Sequence, residues 1–315
     1  MVAVHYTVMK QEVLTHLVPV TNDGVVVDCT IGEGGHSEAF LHTYPEITLV
    51  GVDRDSHILE SAQARLQRFS GRCVFTNSWF DDFLANYPET LGRPQVILMD
   101  LGISMFHYDL SRRGFSFSSD EPLDMRLSED METSAADVVN TYREDRLADV
   151  IHRYGEERYS RRIARAVCER RRKSPIMRSD ELRDLIAGSV PPKYRHGRIH
   201  PATRTFQALR IEVNSELQRL QRALHEAVSI LAPGGRIGVI SFHSLEDRIV
   251  KRTFRGYAGR LSEEDAAYVA YRDEPVLRLV TKKPLVPSEE EIGSNHPSRS
   301  AKLRVGEKIS QRGES

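Results

Sequence analysis

Apolar runs and helical spacing alternate along the first hundred residues. Val25–Thr30 (VVVDCT) reads as a buried parallel strand, since a strand covered on both faces needs no polar alternation. The turn Gly32-Glu-Gly34-Gly35 follows and opens a helix from His36 towards His42. Thr48–Val52, Arg72–Phe75 and Val96–Met99 are the next strands, and Ser56–Phe69 places Ile58, Leu59, Ala62 and Leu66 at helical spacing. This βαβαβ alternation predicts a doubly wound parallel sheet. From 107 to 212 no strand pattern appears. Helices are expected at Arg143–Tyr154, Tyr159–Arg172 and Ser179–Gly188, the last starting at Ser179-Asp180. A long helix, Thr205–Leu231, ends at Pro233-Gly-Gly235, and Arg236–Phe242 reads as a fifth buried strand. Lys282–Arg299, with three prolines, reads as a surface loop before a final strand at Ala301–Ile309. The expected organisation is one α/β domain in two parts, 1–106 and 213–315, interrupted by a helical insertion at 107–212.

Composition narrows the class. At 315 residues, 40% apolar and 28% charged, the chain is long enough for two ordinary globular domains. No apolar stretch approaches the ~20 residues of a membrane span. The start lacks the pattern of a signal peptide, so a cytoplasmic protein is expected. Cys29, Cys73 and Cys168 are unclustered and odd in number, which excludes a disulfide scaffold or a CxxC zinc site. The histidines form no ligand-like cluster, and no metal is expected. Net charge is −1, but the charges are segregated. Residues 119–132 hold six acids, and 158–173 hold seven arginines and Lys173. Lys193, Arg195, Arg198 and Arg204 form a second basic stretch, and Arg248, Lys251, Arg252 and Arg255 a third. Together they suggest a surface for phosphates. Aromatics are few (7%), and no stacking platform for successive bases is evident.

The stretch Asp28-Cys-Thr-Ile-Gly32-Glu-Gly34-Gly35-His36 carries the first chemical signal. Glycines let a backbone approach a ligand, and a helix N-terminus offers N–H groups to an anion. Asp53 ends the second strand, where an acid can accept from ribose hydroxyls; its alternative is to cap the next helix. The spacing departs from the dinucleotide pattern G-x-G-x-x-G, so an adenosine without a pyrophosphate fits better, S-adenosylmethionine being the obvious one. Phe80 can pack on adenine or belong to the core. Asp100 ends the fourth strand and faces cofactor or substrate. Ser241-Phe242-His243-Ser244 ends the fifth, with Ser244 and Asp247 arranged like a capping box.

Several stretches together resemble one family. Asp28-x-Thr-x-Gly-x-Gly-Gly-His36, Asp53-Arg-Asp55, Asp100-Leu-Gly-Ile-Ser104 and Arg113-Gly-Phe-Ser-Phe117 with Pro122-Leu-Asp-Met-Arg126 come first. Tyr154-Gly-Glu-Glu-Arg158, His200-Pro-Ala-Thr-Arg-Thr-Phe-Gln207 and Ser241-Phe-His-Ser-Leu-Glu-Asp-Arg248 follow in order. Over nearly its whole length the chain is similar to the RsmH/MraW family. His5-Tyr-Thr-Val-Met9 with Glu12 matches it loosely. The resemblance implies a Rossmann-like S-adenosylmethionine-dependent methyltransferase sheet with an inserted helical domain for substrate recognition. It implies N4-methylation of cytidine 1402 (standard numbering) in the decoding centre of 16S rRNA, within the small ribosomal subunit. It also implies cofactor contacts from Gly34, Gly35, His36, Asp53, Phe80, Asp100 and His107. At the last position relatives usually show Ser-Ser-x-Gln, whereas this chain has Ser104-Met-Phe-His107, so that contact is the departure.

Amine methylation needs an aimed nitrogen and an acceptor for its proton. The candidates are Asp100, His243 as a proton acceptor and Phe242 as a stacking surface, with Asp100 alternatively serving the cofactor alone. DNA amine methyltransferases carry an (Asp/Asn/Ser)-Pro-Pro-aromatic segment, which Asp100-Leu-Gly-Ile does not match. Two rival classes are a nicotinamide oxidoreductase, which needs a pyrophosphate-compatible turn, and a noncatalytic ribosome-assembly factor. Oligomeric state is left open, a homodimer among the options.

Overall fold

The computed structural model describes residues 7–109, 111–195, 197, 199–260, 262 and 274–309. Seven strands are found among them: β1 (Val25–Asp28), β2 (Thr48–Asp53), β3 (Cys73–Asn77), β4 (Pro94–Asp100), β5 (Arg236–Ser241), β6 (Leu277–Leu279) and β7 (Lys302–Lys308). They form one sheet ordered β3-β2-β1-β4-β5-β7-β6. The first five run parallel, and β7 is antiparallel to both β5 and β6. The helices are α1 (Lys10–His16), α2 (Gly35–Thr43), α3 (Ser56–Arg65), α4 (Phe80–Ala85), α5 (Met105–Asp109), α6 (Ala135–Thr141) and α7 (Glu144–Gly155). Then come α8 (Ser160–Arg171), α9 (Ser179–Ser189), α10 (Pro192–Arg195), α11 (Ala202–Asn214), α12 (Glu216–Ile230), α13 (Ser244–Tyr257) and α14 (Glu289–Ser294). None is long and apolar enough to cross a membrane.

The chain divides into two compact units, Met1–Gly102 with Leu217–Ser315, and Ile103–Glu216. In the first, adjacent strand residues point to opposite faces. Val27, Val50, Ile97, Met99 and Val239 pack with Leu220, Ala223 and Leu224 of α12 and Phe254 of α13. Val26, Leu49, Leu98 and Ile240 pack with Leu17 just after α1, Phe40 of α2 and Ala62 of α3. Both faces are covered, which is why these strands read as continuous apolar runs. β6 has three residues and lies at the sheet edge, too short to leave a pattern.

The second unit is helical around Leu123, Met125, Val138, Leu147, Ile151, Ile163 and Leu209. Arg113 Nη1 donates to the carbonyls of Arg126 and Leu127 (3.1 and 3.2 Å), and Gly114 N donates to the buried Glu121 (2.9 Å). The Arg113–Phe117 and Pro122–Arg126 stretches are thus bound to each other.

The structure corrects several expectations. The helix at 56–69 stops at Arg65 and tightens into a 3-10 turn, Gln67–Arg72. The segment 282–299 holds α14, capped by Ser288 Oγ accepting from Glu291 N (3.1 Å), and a 3-10 turn. The long helix at 205–231 is two, broken at Ser215 in the left-handed region (φ 51°). Buried Asn214 causes the break. Its amide donates to Met125 O (2.8 Å) and Arg210 O (2.9 Å), while its oxygen accepts from Leu127 N (3.0 Å). The unit boundaries fall at 102/103 and 216/217 rather than 106/107 and 212/213. α9 starts at Ser179 as expected, but its hydroxyl binds Ser119 O and Glu121 N instead of capping.

Much of the charge is used internally. Arg170 pairs with Glu181, and Arg171 donates to the carbonyls of Val139 and Tyr142 near the end of α6 (2.6 Å each). Arg161 and Arg165 share a cleft with Glu144, Asp145 and Asp149. Asp120 pairs with Arg178, and Asp124 with Arg126 (2.7 Å). Arg198 of the second basic stretch, like His5 and Tyr6 near the start, lies outside the described residues.

Gly155 is where α7 meets α11. A Cβ there would lie 2.5 Å from Arg204 O and 3.1 Å from its carbonyl carbon. Gly155→Ala should therefore destabilise the protein by about 1–3 kcal/mol, the usual range for overpacking. Urea unfolding with a midpoint equal to the parent's would disprove this close approach.

Candidate active site

Strand order reverses at β1, which has β2 on one side and β4 on the other. Ligands of open parallel sheets bind outside the carboxyl ends at such a point. Asp28 ends β1 and is 1% exposed. Its carboxylate accepts from Ser37 Oγ (2.7 Å) and Thr30 N (3.4 Å). Burial pushes its pKa up to about 6, with His36 and Ser37 opposing the rise and Asp100 adding to it. Thr30 Oγ1 accepts from Asp100 N (2.7 Å), and Gly32 N donates to Asp53 Oδ2 (3.0 Å). The loop after β1 is thereby tied to the ends of both neighbouring strands.

The turn needs its glycines. Gly32 (φ 53°) and Gly34 (φ 82°) are both left-handed, and Gly34 begins α2. Gly35 leaves the space that the Thr7 hydroxyl occupies. The first-turn N–H groups of α2 have no acceptor within their own helix. His36 is 6% exposed, with Nε2 3.6 Å from Asp100 Oδ2. Neither His36 ring nitrogen nor Asp100 Oδ1 has a hydrogen-bond partner among the described residues. Each such buried atom costs about 1–3 kcal/mol until something binds it. Buried donors and acceptors beside a glycine turn fit a polar, nucleoside-bearing cofactor.

Gly34, Gly35, His36, Asp53 and Asp100 are thus linked around the end of β1. Asp53 is half-buried and its Oδ1 accepts from Asp55 N (2.9 Å). It does not cap α3, because Asp55 does, accepting from His57 N (3.0 Å). Phe80 starts α4, half-buried against the core. His107 belongs to the helical unit, where it is buried, 3.3 Å from Ser104 Oγ and edge-on to Phe115. Phe242 packs over Gly102, two residues beyond Asp100, where a Cβ would lie 3.4 Å from its ring.

His243 also has a role in its own helix. It caps α13: its Nδ1 accepts from Glu246 N (3.4 Å), and its Nε2 lies 3.1 Å from Glu246 Oε1. With Nδ1 accepting, the neutral ring carries its proton on Nε2, which is buried and has no hydrogen-bond partner among the described residues although Glu246 Oε1 lies 3.1 Å away. The other half of the box is Glu246 Oε2, which accepts from the N–H groups of Phe242 (2.9 Å) and His243 (3.3 Å). The expected Ser244–Asp247 box is absent; Asp247 pairs with Arg304 (2.6 Å). Asp28, Thr30 and Glu246 were not singled out from sequence, although each stands inside a recognised stretch. Their roles depend on partners that local patterns do not show.

This strand order, with a glycine turn and acids at three strand ends, defines a Rossmann-like methyltransferase that uses S-adenosylmethionine. The chain belongs to the MraW methylase family, whose model matches residues 2–309. It is 52% identical to the ribosomal RNA small subunit methyltransferase H of Treponema denticola, over 98% of both chains. The protein of that name from Synechococcus elongatus is 48% identical, covering 97% of this chain and 95% of its own. That from Borreliella afzelii is 46% identical, covering 97% and 98%. Among solved structures, an rRNA methylase from Streptococcus thermophilus is a distant likeness. It has a TM-score of 0.40 and 11% identity, over 92% of this chain and 89% of that one.

Asp53→Ala should weaken S-adenosylmethionine binding by roughly 1.5–3 kcal/mol, the range for a hydrogen bond to a charged group. Unchanged affinity by calorimetric titration, in a folded variant, would remove Asp53 from the site. Asp28 gives a pH signature. Its folded pKa of about 6 lies above the ordinary 3.8, so its contribution to stability is complete below 3.8 and lost as pH rises through about 6. Relative to Asp28→Asn, the parent should lose about 3 kcal/mol across that window. A pH-independent difference between the two midpoints would show that Asp28 does not titrate there.

Proposed function

We propose that the protein transfers a methyl group to the exocyclic N4 of cytidine 1402 in 16S rRNA, within the small ribosomal subunit and in the cytoplasm. The observation that carries the reading is Asp100: a carboxylate at the β4 end with a buried, unpartnered oxygen, two residues before the backbone that Phe242 covers. Cytosine N4 is a poor nucleophile because its lone pair is delocalised into the ring. S-adenosylmethionine, when bound, supplies an electrophilic methyl group on a sulfonium. Asp100 Oδ1 accepts a hydrogen bond from the amine, aims it, and takes its proton as positive charge grows on nitrogen. Phe242 offers an apolar ring for the base to pack on. Gly34, Gly35, His36 and Asp53 hold the cofactor, and Phe80 packs beside its adenine. His243 has a positioning role only, since Glu246 engages its ring. The helical unit recognises the RNA.

The test is methyl transfer from labelled cofactor to small subunits lacking the modification, followed by nucleoside analysis. Labelled N4-methylcytidine is expected, and label in any other nucleoside would overturn the reading. Asp100→Asn should lower kcat by about 100-fold or more, as loss of an acid–base group does, with cofactor affinity within a few-fold. A large loss of cofactor affinity at unchanged kcat would instead place Asp100 with the cofactor.

A further inference from the structure

Three sequence stretches that methyl transfer leaves unused converge within the helical unit. Arg158 ends one, His200 and Arg204 begin another, and Phe117 closes the third. They are joined directly. Arg204 Nη1 donates to Glu156 O (2.9 Å), and Gln207 Nε2 to Tyr154 O (3.0 Å). His200 stacks on Phe117 (centroids 5.0 Å apart, planes at 26°), and Phe117 meets the edge of Phe206 (5.1 Å). At this junction lies a cleft of about 480 Å³, lined by Arg158, Tyr159, Lys193, Tyr194, His200 and Arg204 among others.

The cleft is firmly built. Tyr159 and Tyr194 meet edge-on at 4.9 Å, and the Arg158 guanidinium lies 4.8 Å from both rings. Beneath them Glu157, 0% exposed, accepts from Tyr194 Oη (2.5 Å) and Tyr159 N (2.7 Å). Burial and that bond push the Tyr194 hydroxyl up to about 12, so it stays a neutral donor. Arg158 and Lys193 are exposed and have no carboxylate partner among the described residues, unlike Arg165 and Arg170 of α8, which pair with Glu144 and Glu181. Burial, then Arg183, hold His200 below the usual histidine range, so its exposed ring is uncharged near neutrality. Unmatched cations beside aromatic faces suit a phosphate with a base attached. An acidic peptide would use only the cations, and a free phosphate only part of the volume.

We propose that this cleft binds one unpaired nucleotide of the RNA substrate, outside the methylated position. Its phosphate lies at Arg158 and Lys193, and its base stacks on the aromatic surface of His200 and the tyrosines. The proposal rests on the RNA substrate proposed above and adds a second point of attachment. Residues 159, 194 and 200 make the stacking surface, which is why no platform is evident in the linear sequence.

The full chain tests it, with an eight-residue oligouridylate and unmethylated small subunits as probes. The variant Arg158→Ala with Lys193→Ala should bind both probes about 10- to 100-fold more weakly. The slope of log K against log salt should become shallower by about 0.7, as expected when one single-strand phosphate contact is lost. S-adenosylmethionine affinity should not change. His200→Ala should weaken oligouridylate about 5- to 100-fold, but not an abasic strand of equal length. Unchanged affinity and slope in the folded double variant would overturn the proposal. So would an equal loss of binding to polyglutamate, which would make the cleft a site for acidic peptide. A parent protein that binds oligouridylate through this cleft yet methylates no subunit would sink the rRNA reading alone.

Discussion

The carboxyl edge of the parallel sheet is held together by side chains reaching between loops, because parallel strands have no hairpin turns to join their ends. Three bonds do this: Ser37 Oγ to Asp28, Gly32 N to Asp53, and Asp100 N to Thr30 Oγ1. Each joins one segment of the β1–α2 turn to another part of the edge. With them in place, the glycine turn, the start of α2 and the two strand-end acids form a single framework. The cost is a buried acid. Asp28 sits out of water so that its oxygens can hold the turn, and its raised pKa records that burial.

The same accounting governs charge elsewhere. A run of arginines in sequence suggests a phosphate surface, but an arginine bonded to a helix-end carbonyl or paired with a carboxylate is already engaged. Arg171 and Arg170 are of that kind. What distinguishes Arg158 and Lys193 is the lack of such a partner among the described residues, beside two tyrosines that Glu157 holds through the Tyr194 hydroxyl and the Tyr159 N–H. Position in a charged run therefore says less about binding than the state of each individual cation.

Strands β1, β2, β4 and β5 were legible because burial on both faces writes itself as β-branched and aliphatic runs. Asp53, Asp100 and the glycine turn were legible because they follow those strands directly. Other features depended on long-range partners. Apolar residues continue at helical spacing through Leu209, Val213, Leu217, Leu220 and Leu224, so nothing local marks the break at Ser215. It comes from Asn214 bonding to residues 125 and 127. Similarly, Ser244-x-x-Asp247 and His243-x-x-Glu246 are overlapping capping patterns, and only tertiary packing selects the second. That choice commits the Nδ1 lone pair of His243 to the start of α13.

The insertion has a consequence for the order in which the fold can be made. β4 is an apolar strand whose partner on one side, β5, starts 136 residues after β4 ends, at Arg236 following Asp100. At ~5–20 residues per second of synthesis, its open edge waits roughly 7–27 seconds for that partner. Throughout that interval the helical unit is emerging, and Val96–Met99 present unpaired backbone of the kind that recruits other strands. β7, which must add antiparallel to β5, arrives later still. The nascent chain is thus most prone to aggregation at β4, a strand that is wholly interior once synthesis is complete.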